Sequence, residues 1–203
     1  MRHRTRTVKD TKQAILQGTF RALVRYGSHE LTMEKIAAEI GVSTGTLHYH
    51  YETKENLLLS LLDHMIDRFE QALHRWQQEI STPRDQLRAI IEAQLSGPEQ
   101  KLRDYAKAMA DLWNLSLRSD LFRERLLRHQ RSLLQAMENI IQQGMRQRQF
   151  QIEDPREHAL LINALVDGIW HQWSLDRDVP KDKLAQLILD EMLTAPRRET
   201  RKI

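Results

Sequence analysis

Apolar positions recur at intervals of three and four along most of the chain, so the pattern predicts helices and no strand. Ile15, Phe20, Leu23 and Val24, with Ala14 and Ala22, give Thr11–Tyr26 an apolar side, and Gly27 is its predicted stop. Ile36, Ala37 and Ile40 share one face of a short helix that Gly41 ends. A second short helix, Thr44 to His50, turns Leu47 and Tyr51 inward. From Lys54 to about Ile80, Leu57, Leu58, Leu61, Leu62, Met65, Ile66, Phe69, Leu73 and Trp76 form one long stripe. Proline then punctuates the chain at Pro83, Pro98, Pro155 and Pro180, each placed for the first turn of a helix. Asp154 with Glu157 adds a box-like cap. Helices are predicted at 83–95, 99–117, 120–148, 155–176 and 180–194, about nine in all: an all-α chain without a repeat.

The stretch from Thr32 to Leu57 carries the most specific chemistry. Gly41 supplies a left-handed stop, Ser43 an N-cap, and Val42 with Leu47 a hydrophobic staple that fixes the angle between two helices. This is the grammar of a helix-turn-helix, which lays its second helix in the major groove of DNA. The outward face of that helix is short and hydrogen-bonding, with Thr44 and His48 four apart and Gly45 and Tyr49 beside them. Hydroxyls and imidazole suit base edges, a phenol suits a phosphate, and glycine lets the backbone come close. Thr53 is placed to cap the next helix. Lys54 in its first turn runs against the preference of a helix N-terminus for acidic residues, which suggests a phosphate clamp.

Thr32, Ile36-Ala37, Gly41-Val42-Ser43, Gly45-Thr46-Leu47, Tyr49-His50-Tyr51, Lys54-Glu55 and Leu57, in that order, resemble the DNA-binding signature of TetR-family transcriptional regulators. His48 stands where that family most often has tyrosine, and Tyr51 where it usually has phenylalanine. The resemblance implies a homodimer on a palindromic operator, with a small-molecule effector in a second domain. The expected DNA-contacting set is Thr32, Ser43, Thr44, Gly45, Thr46, His48, Tyr49, His50 and Lys54. Of these, Thr44, Thr46 and His48 would face bases, while Tyr49, His50 and Lys54 would hold phosphates. The DNA-reading part is taken as residues 1–53 and the effector and dimerisation part as 54–203, tied by the long helix.

Charge sharpens this picture in one place only. A formal net charge of +3 argues little by itself, but before Tyr26 stand Arg2, Arg4, Arg6, Lys9, Lys12, Arg21 and Arg25 against Asp10 alone. A basic arm leading into a helix-turn-helix is the electrostatic footprint expected for a duplex. With no cysteine there is neither a disulfide framework nor a thiolate metal site, and a reducing cytoplasm is the expected compartment. No apolar run follows the charged start MRHRTRT, and the longest apolar stretches are too short to span a bilayer.

In the second domain, helix 155–176 is apolar around most of its circumference and must be covered on all sides. Leu161, Leu165 and Ile169, with Leu184, Leu187, Ile188 and Met192 of the last helix, form the expected seam with a second copy, two helices from each chain. The alternative is that both helices are core of a single chain. Tyr105, Met109, Leu112, Trp113 and Leu117 line one side of a helix on which an effector pocket is expected, with Phe69, Trp76, Phe122, Trp170 and Trp173 converging and Asp111 supplying a carboxylate. Tryptophans beside a carboxylate such as Asp111 or Asp167 suit a cationic ligand. The run from Ala164 to Trp170 resembles that of the choline-responsive repressors of the same family.

No phosphate-cradling glycine loop, nucleophile elbow or carboxylate pair placed for acid–base work is present, so an enzyme is not expected and no cofactor is called for. His48 and His50, two apart on a helix, point to different faces and make a poor metal pair. The expected function is a ligand-released repressor; the other is an architectural DNA-binding protein that acts through protein partners without a small-molecule switch.

Overall fold

The computed structural model describes residues 8–193; the basic arm Met1–Thr7 and the basic tail Arg197–Ile203 lie outside the described residues. Among the described residues the helices are α1 (Val8–Glu30), α2 (Met33–Ile40), α3 (Thr44–His50), α4 (Lys54–Glu79) and α5 (Pro83–Leu95), then α6 (Glu99–Ser116), α7 (Asp120–Arg146), α8 (Pro155–Leu175) and α9 (Lys181–Glu191). Nine helices and no strand among the described residues match the expected all-α architecture.

The ends of these helices follow from single residues. Thr82 accepts from Asp85 N–H ahead of Pro83, and Asp154 accepts from Arg156 N–H and Glu157 N–H ahead of Pro155, each cap contributing about 1 kcal/mol. Thr53 Oγ1 likewise accepts from Asn56 N–H at the start of α4. One boundary differs from expectation: α1 runs past Gly27 to Glu30. Gly27 takes φ 69° and ψ 160°, so the helix breaks and resumes for one more turn.

Packing groups the described residues up to Glu70 with Arg103–Arg128, and Gln71–Leu102 with those from His129 on. The boundaries therefore fall inside α4, α6 and α7, whereas the helix-turn-helix pattern alone marks a division at Lys54. In the first unit Ile15, Leu23, Ile36, Leu47, Leu57, Leu58, Leu61 and Leu62 form one buried cluster with Ala108 and Leu112 of α6 and Phe122 of α7. Gly18 lies at the crossing of α1 and α2, where a Cβ would stand 2.3 Å from Ile40 Cγ1; the glycine is what the approach requires. In the second unit α5, α8 and α9 pack on one another. No helix of the described residues is long and apolar enough to cross a membrane.

Candidate nucleic-acid interface and effector domain

The turn between α2 and α3 is built as its sequence dictates. Thr32 caps α2 by accepting from Lys35 N–H. Gly41, at φ 77°, turns its N–H and that of Val42 back to Ala37 O, which closes the helix. Ser43 then caps α3: its Oγ accepts from Thr46 N–H at 3.1 Å and pairs with Thr46 Oγ1 at 2.8 Å. Leu47 is the one fully buried residue of α3, an anchor that stabilises by about 2–3 kcal/mol.

Everything else on α3 is open or half open. Gly45, Thr46, His48 and Tyr49 are exposed, and Tyr49 is 85% exposed with its ring edge-on to His50 at 5.2 Å. His48 Nδ1 lies 3.1 Å from Glu52 O; a carbonyl only accepts, so Nδ1 carries the proton and the outer nitrogen, Nε2, is an acceptor in the neutral ring. A Cβ added to Gly45 would meet only Ser43 Oγ, at 3.8 Å. Nothing in the chain's own packing requires glycine there, although glycine within a helix costs about 1 kcal/mol relative to alanine.

Two charged residues of the expected sites also bond within the chain. Lys54 Nζ donates to Ser28 O at 3.1 Å and to Leu31 O at 2.9 Å, so two of its three N–H groups are engaged at the end of α1. Asp111 Oδ1 accepts from Ser28 N–H at 3.0 Å and Ser28 Oγ–H at 2.6 Å, so its carboxylate ties α6 to the same corner. An open cleft of about 410 Å³ adjoins it, lined by Val24, Gly27, Lys107, Ala110, Asp111 and Asn114. Arg21 and Arg25, counted above toward a basic footprint, both pair with Glu39 of α2.

The expected effector residues are divided between the two units. Phe69 and the α6 set lie in the first, Trp170 and Trp173 in the second. Along α6 and at Leu117 just past its end the stripe itself splits: Leu112 is buried in the first unit's core, Met109 packs against it, and Tyr105, Trp113 and Leu117 are exposed at 40%, 59% and 63%. The core takes Ala108 and Leu112 from one edge of that sector of the helix. Trp173 is buried, with the Arg177 guanidinium 4.1 Å above its ring; a cation of this chain already occupies that face. Trp170 packs beside Trp173 at 5.7 Å between ring centroids.

Asn163, Asp167 and Trp170 follow one another at i, i+4 and i+7 on α8. Asn163 is buried with its Oδ1 unpaired, while its Nδ2 donates to Asp167 at 3.0 Å. Burial raises the Asp167 carboxyl above its ordinary range, and the Asn163 hydrogen bond pulls it part of the way back. Of the expected dimer seam, Leu161, Leu165 and Leu187 are exposed, while Ile169, Leu184 and Met192 are half-buried. Ile188 is only 6% exposed and belongs to the core of its own chain, since it falls on the inner side of α9 with Ala185 and Leu189.

Residues 15–61 match the family described as "Bacterial regulatory proteins, tetR family", and residues 83–196, more than half of the chain, match "BetI-type transcriptional repressor, C-terminal". The chain belongs to the TetR family. TetR-family relatives include the HTH-type transcriptional regulator BetI of Pseudomonas aeruginosa, 26% identical over 82% of this chain and 83% of that one. A TetR transcription regulator from Haloarcula marismortui has a TM-score of 0.82 at 25% identity, covering 91% of this chain and 97% of its own. A putative transcriptional regulator from Saccharomonospora viridis, solved in complex with choline, has a TM-score of 0.82 at 27% identity, covering 90% and 95%. As a TetR-family member this chain is a DNA-binding transcriptional regulator and not an enzyme.

Sequence reasoning within the TetR signature missed Ser28. A serine one residue after a helix-stopping glycine carries no signal of a carboxylate partner 83 positions away. The isolated Asp111 amid apolar sequence was the available clue, and it reads equally well as a ligand group.

Proposed function

We propose that the protein is a homodimeric repressor that occupies a palindromic operator and leaves it when a small organic cation binds its second domain. The observation that carries the DNA half is α3 itself: one buried anchor, Leu47, and an otherwise open hydrogen-bonding face. Thr44, Thr46 and His48 take base edges; Tyr49 and His50 take phosphates, with Thr32 and Ser43 at the two helix N-termini. Gly45 leaves room for the duplex. Lys54 is omitted from the contact set because its ammonium is engaged within the chain.

One α3 reads only a few base pairs, so two related by a twofold axis are needed, about 34–36 Å apart. The apolar exposure of Leu161 and Leu165 on α8 and Leu187 on α9 supports a seam of two helices from each chain. Occupying a promoter then excludes polymerase sterically. For the effector, a carboxylate desolvated at Asp167, the unpaired Asn163 carbonyl oxygen and the Trp170 ring on one side of α8 suit a cation with a small polar arm. The choline complex of the Saccharomonospora viridis relative supports that class.

The test is a footprint of the purified dimer on the promoter beside its own gene, followed by titration with choline. Protection of an inverted repeat that choline abolishes supports the proposal. Equal binding to all duplexes, unaffected by choline and by related quaternary ammonium compounds, would favour the architectural reading instead.

A further inference from the structure

We propose that Lys54 and Asp111 are positioning residues for DNA reading, pinning the corner Gly27–Leu31 from which the helix-turn-helix hangs. The inference rests on the DNA-binding reading above and deepens it. The break at Gly27 takes Ser28 N–H out of the helical ladder, where it would otherwise point to the carbonyl four residues back. Asp111 of α6 accepts that N–H together with the Ser28 hydroxyl. At the other side of the same residue Ser28 O, in the last turn of α1, and Leu31 O, just past its end, both accept from the Lys54 ammonium. Ser28 is thus held by a carboxylate on its N–H and an ammonium on its C=O, from two different helices. Charge-assisted hydrogen bonds of this kind are about twice as strong as neutral ones.

The consequence for reading lies in where these two residues sit along the chain. Thr32, which caps α2, follows Leu31 directly, and α3 ends at His50 shortly before Lys54. The Leu31–Lys54 bond closes the segment that contains α2, the turn and α3, and Asp111 fixes the point from which that segment departs. Gly27 is kept free of a side chain there: its φ of 69° strains any other residue, and a Cβ would face the Asp111 carboxylate at 3.8 Å.

The experiment measures binding of the full-length protein to the duplex it footprints, by fluorescence anisotropy across a salt series, for wild type, Lys54→Met, Asp111→Ala, Asp111→Asn and Ser28→Ala. Lys54→Met and Asp111→Ala should each weaken binding about tenfold, the range expected for residues in one hydrogen-bonded network. The slope of log affinity against log salt should not change, because no phosphate contact is removed. Asp111→Asn, which keeps an acceptor oxygen, should recover most of the loss, and Ser28→Ala should lose about threefold. Circular dichroism and stoichiometric titration must show all variants folded and fully active in number; Ser28→Ala, which keeps the backbone bond, serves if the others unfold. Loss of hydrogen-exchange protection at the Ser28 amide in Asp111→Ala completes the expected result. A salt slope flattened by about one phosphate in Lys54→Met overturns the inference, as do unchanged affinities or an Asp111→Asn no better than Asp111→Ala. A wild-type protein with no preferred duplex overturns the DNA reading and this inference together; a wild type that binds while its variants bind equally well overturns the inference alone.

Discussion

Helices α3 and α8 both leave a face uncovered, and the two faces are opposites. On α3 the open positions carry hydroxyl, imidazole and phenol groups around Gly45; on α8 they carry Leu161, Ala164, Leu165 and Gly168. A polar open face is at ease in water and gains only when it meets a surface with its own donors and acceptors. An apolar one is costly in water, at about 25 cal/mol per Å² left uncovered, and is expected to be covered by another apolar face. The comparison teaches that exposure alone does not name a partner, whereas the chemistry of the exposed groups separates a duplex from a second copy. Each helix also carries a glycine that its own chain does not require: a Cβ on Gly45 meets only a serine oxygen at 3.8 Å, and one on Gly168 meets nothing within 4 Å.

The most severe way to break the comparison is to make the α8 face polar. Leu161→Asp with Leu165→Asp should yield a folded monomer in analytical ultracentrifugation, with operator affinity reduced at least about a hundredfold as the second reading helix is lost. A dimer that survives both changes would mean the seam is elsewhere. Next come the two glycines, which should respond in opposite ways. Gly45→Ala should raise the melting temperature slightly while weakening operator binding about tenfold, and should leave the dimer intact. Gly168→Leu should do the reverse, loosening the dimer first and DNA binding only through it. Identical effects of both substitutions would mean that the two faces do not meet different partners.

The smallest expected effect is a pH dependence at Asp167 of α8. Burial holds the Asp167 carboxyl above its ordinary range in the folded chain. A raised folded value means that its contribution to stability is fully present below the unfolded carboxylate range, near pH 4, and is lost as pH rises through the raised value. Asp167→Asn should therefore flatten the urea midpoint across that window, and choline affinity of the wild type should rise with pH over the same interval. Superimposable pH profiles of wild type and variant would sink this reading.

Helix positions were legible in the sequence because the caps are local: Thr32, Ser43, Thr82 and Asp154 each bond a backbone N–H two or three residues on. The exposed face of α3 was legible for the same reason, since one anchor at Leu47 fixes the orientation of so short a helix. What could not be read was which carbonyls and amides distant side chains would find. Lys54 breaks the rule for a helix N-terminus, and its ammonium bonds two carbonyls at the end of α1 to which the sequence does not point. Nor does a stripe at helical spacing reveal its own width: on α6, Leu112 went to the core while Trp113, one residue on, went to solvent. Ile188 was drawn from the seam into the core by a rotation of comparable size.

The bond between His48 and the Glu52 carbonyl has a consequence legible on DNA instead of protein. A neutral imidazole whose inner nitrogen is committed to that carbonyl offers the groove a lone pair and no hydrogen. The letters able to answer it are those with an exocyclic amine, adenine and cytosine. Guanine and thymine, which present oxygens along the same edge, should be rare beneath His48 when many protected half-sites are aligned.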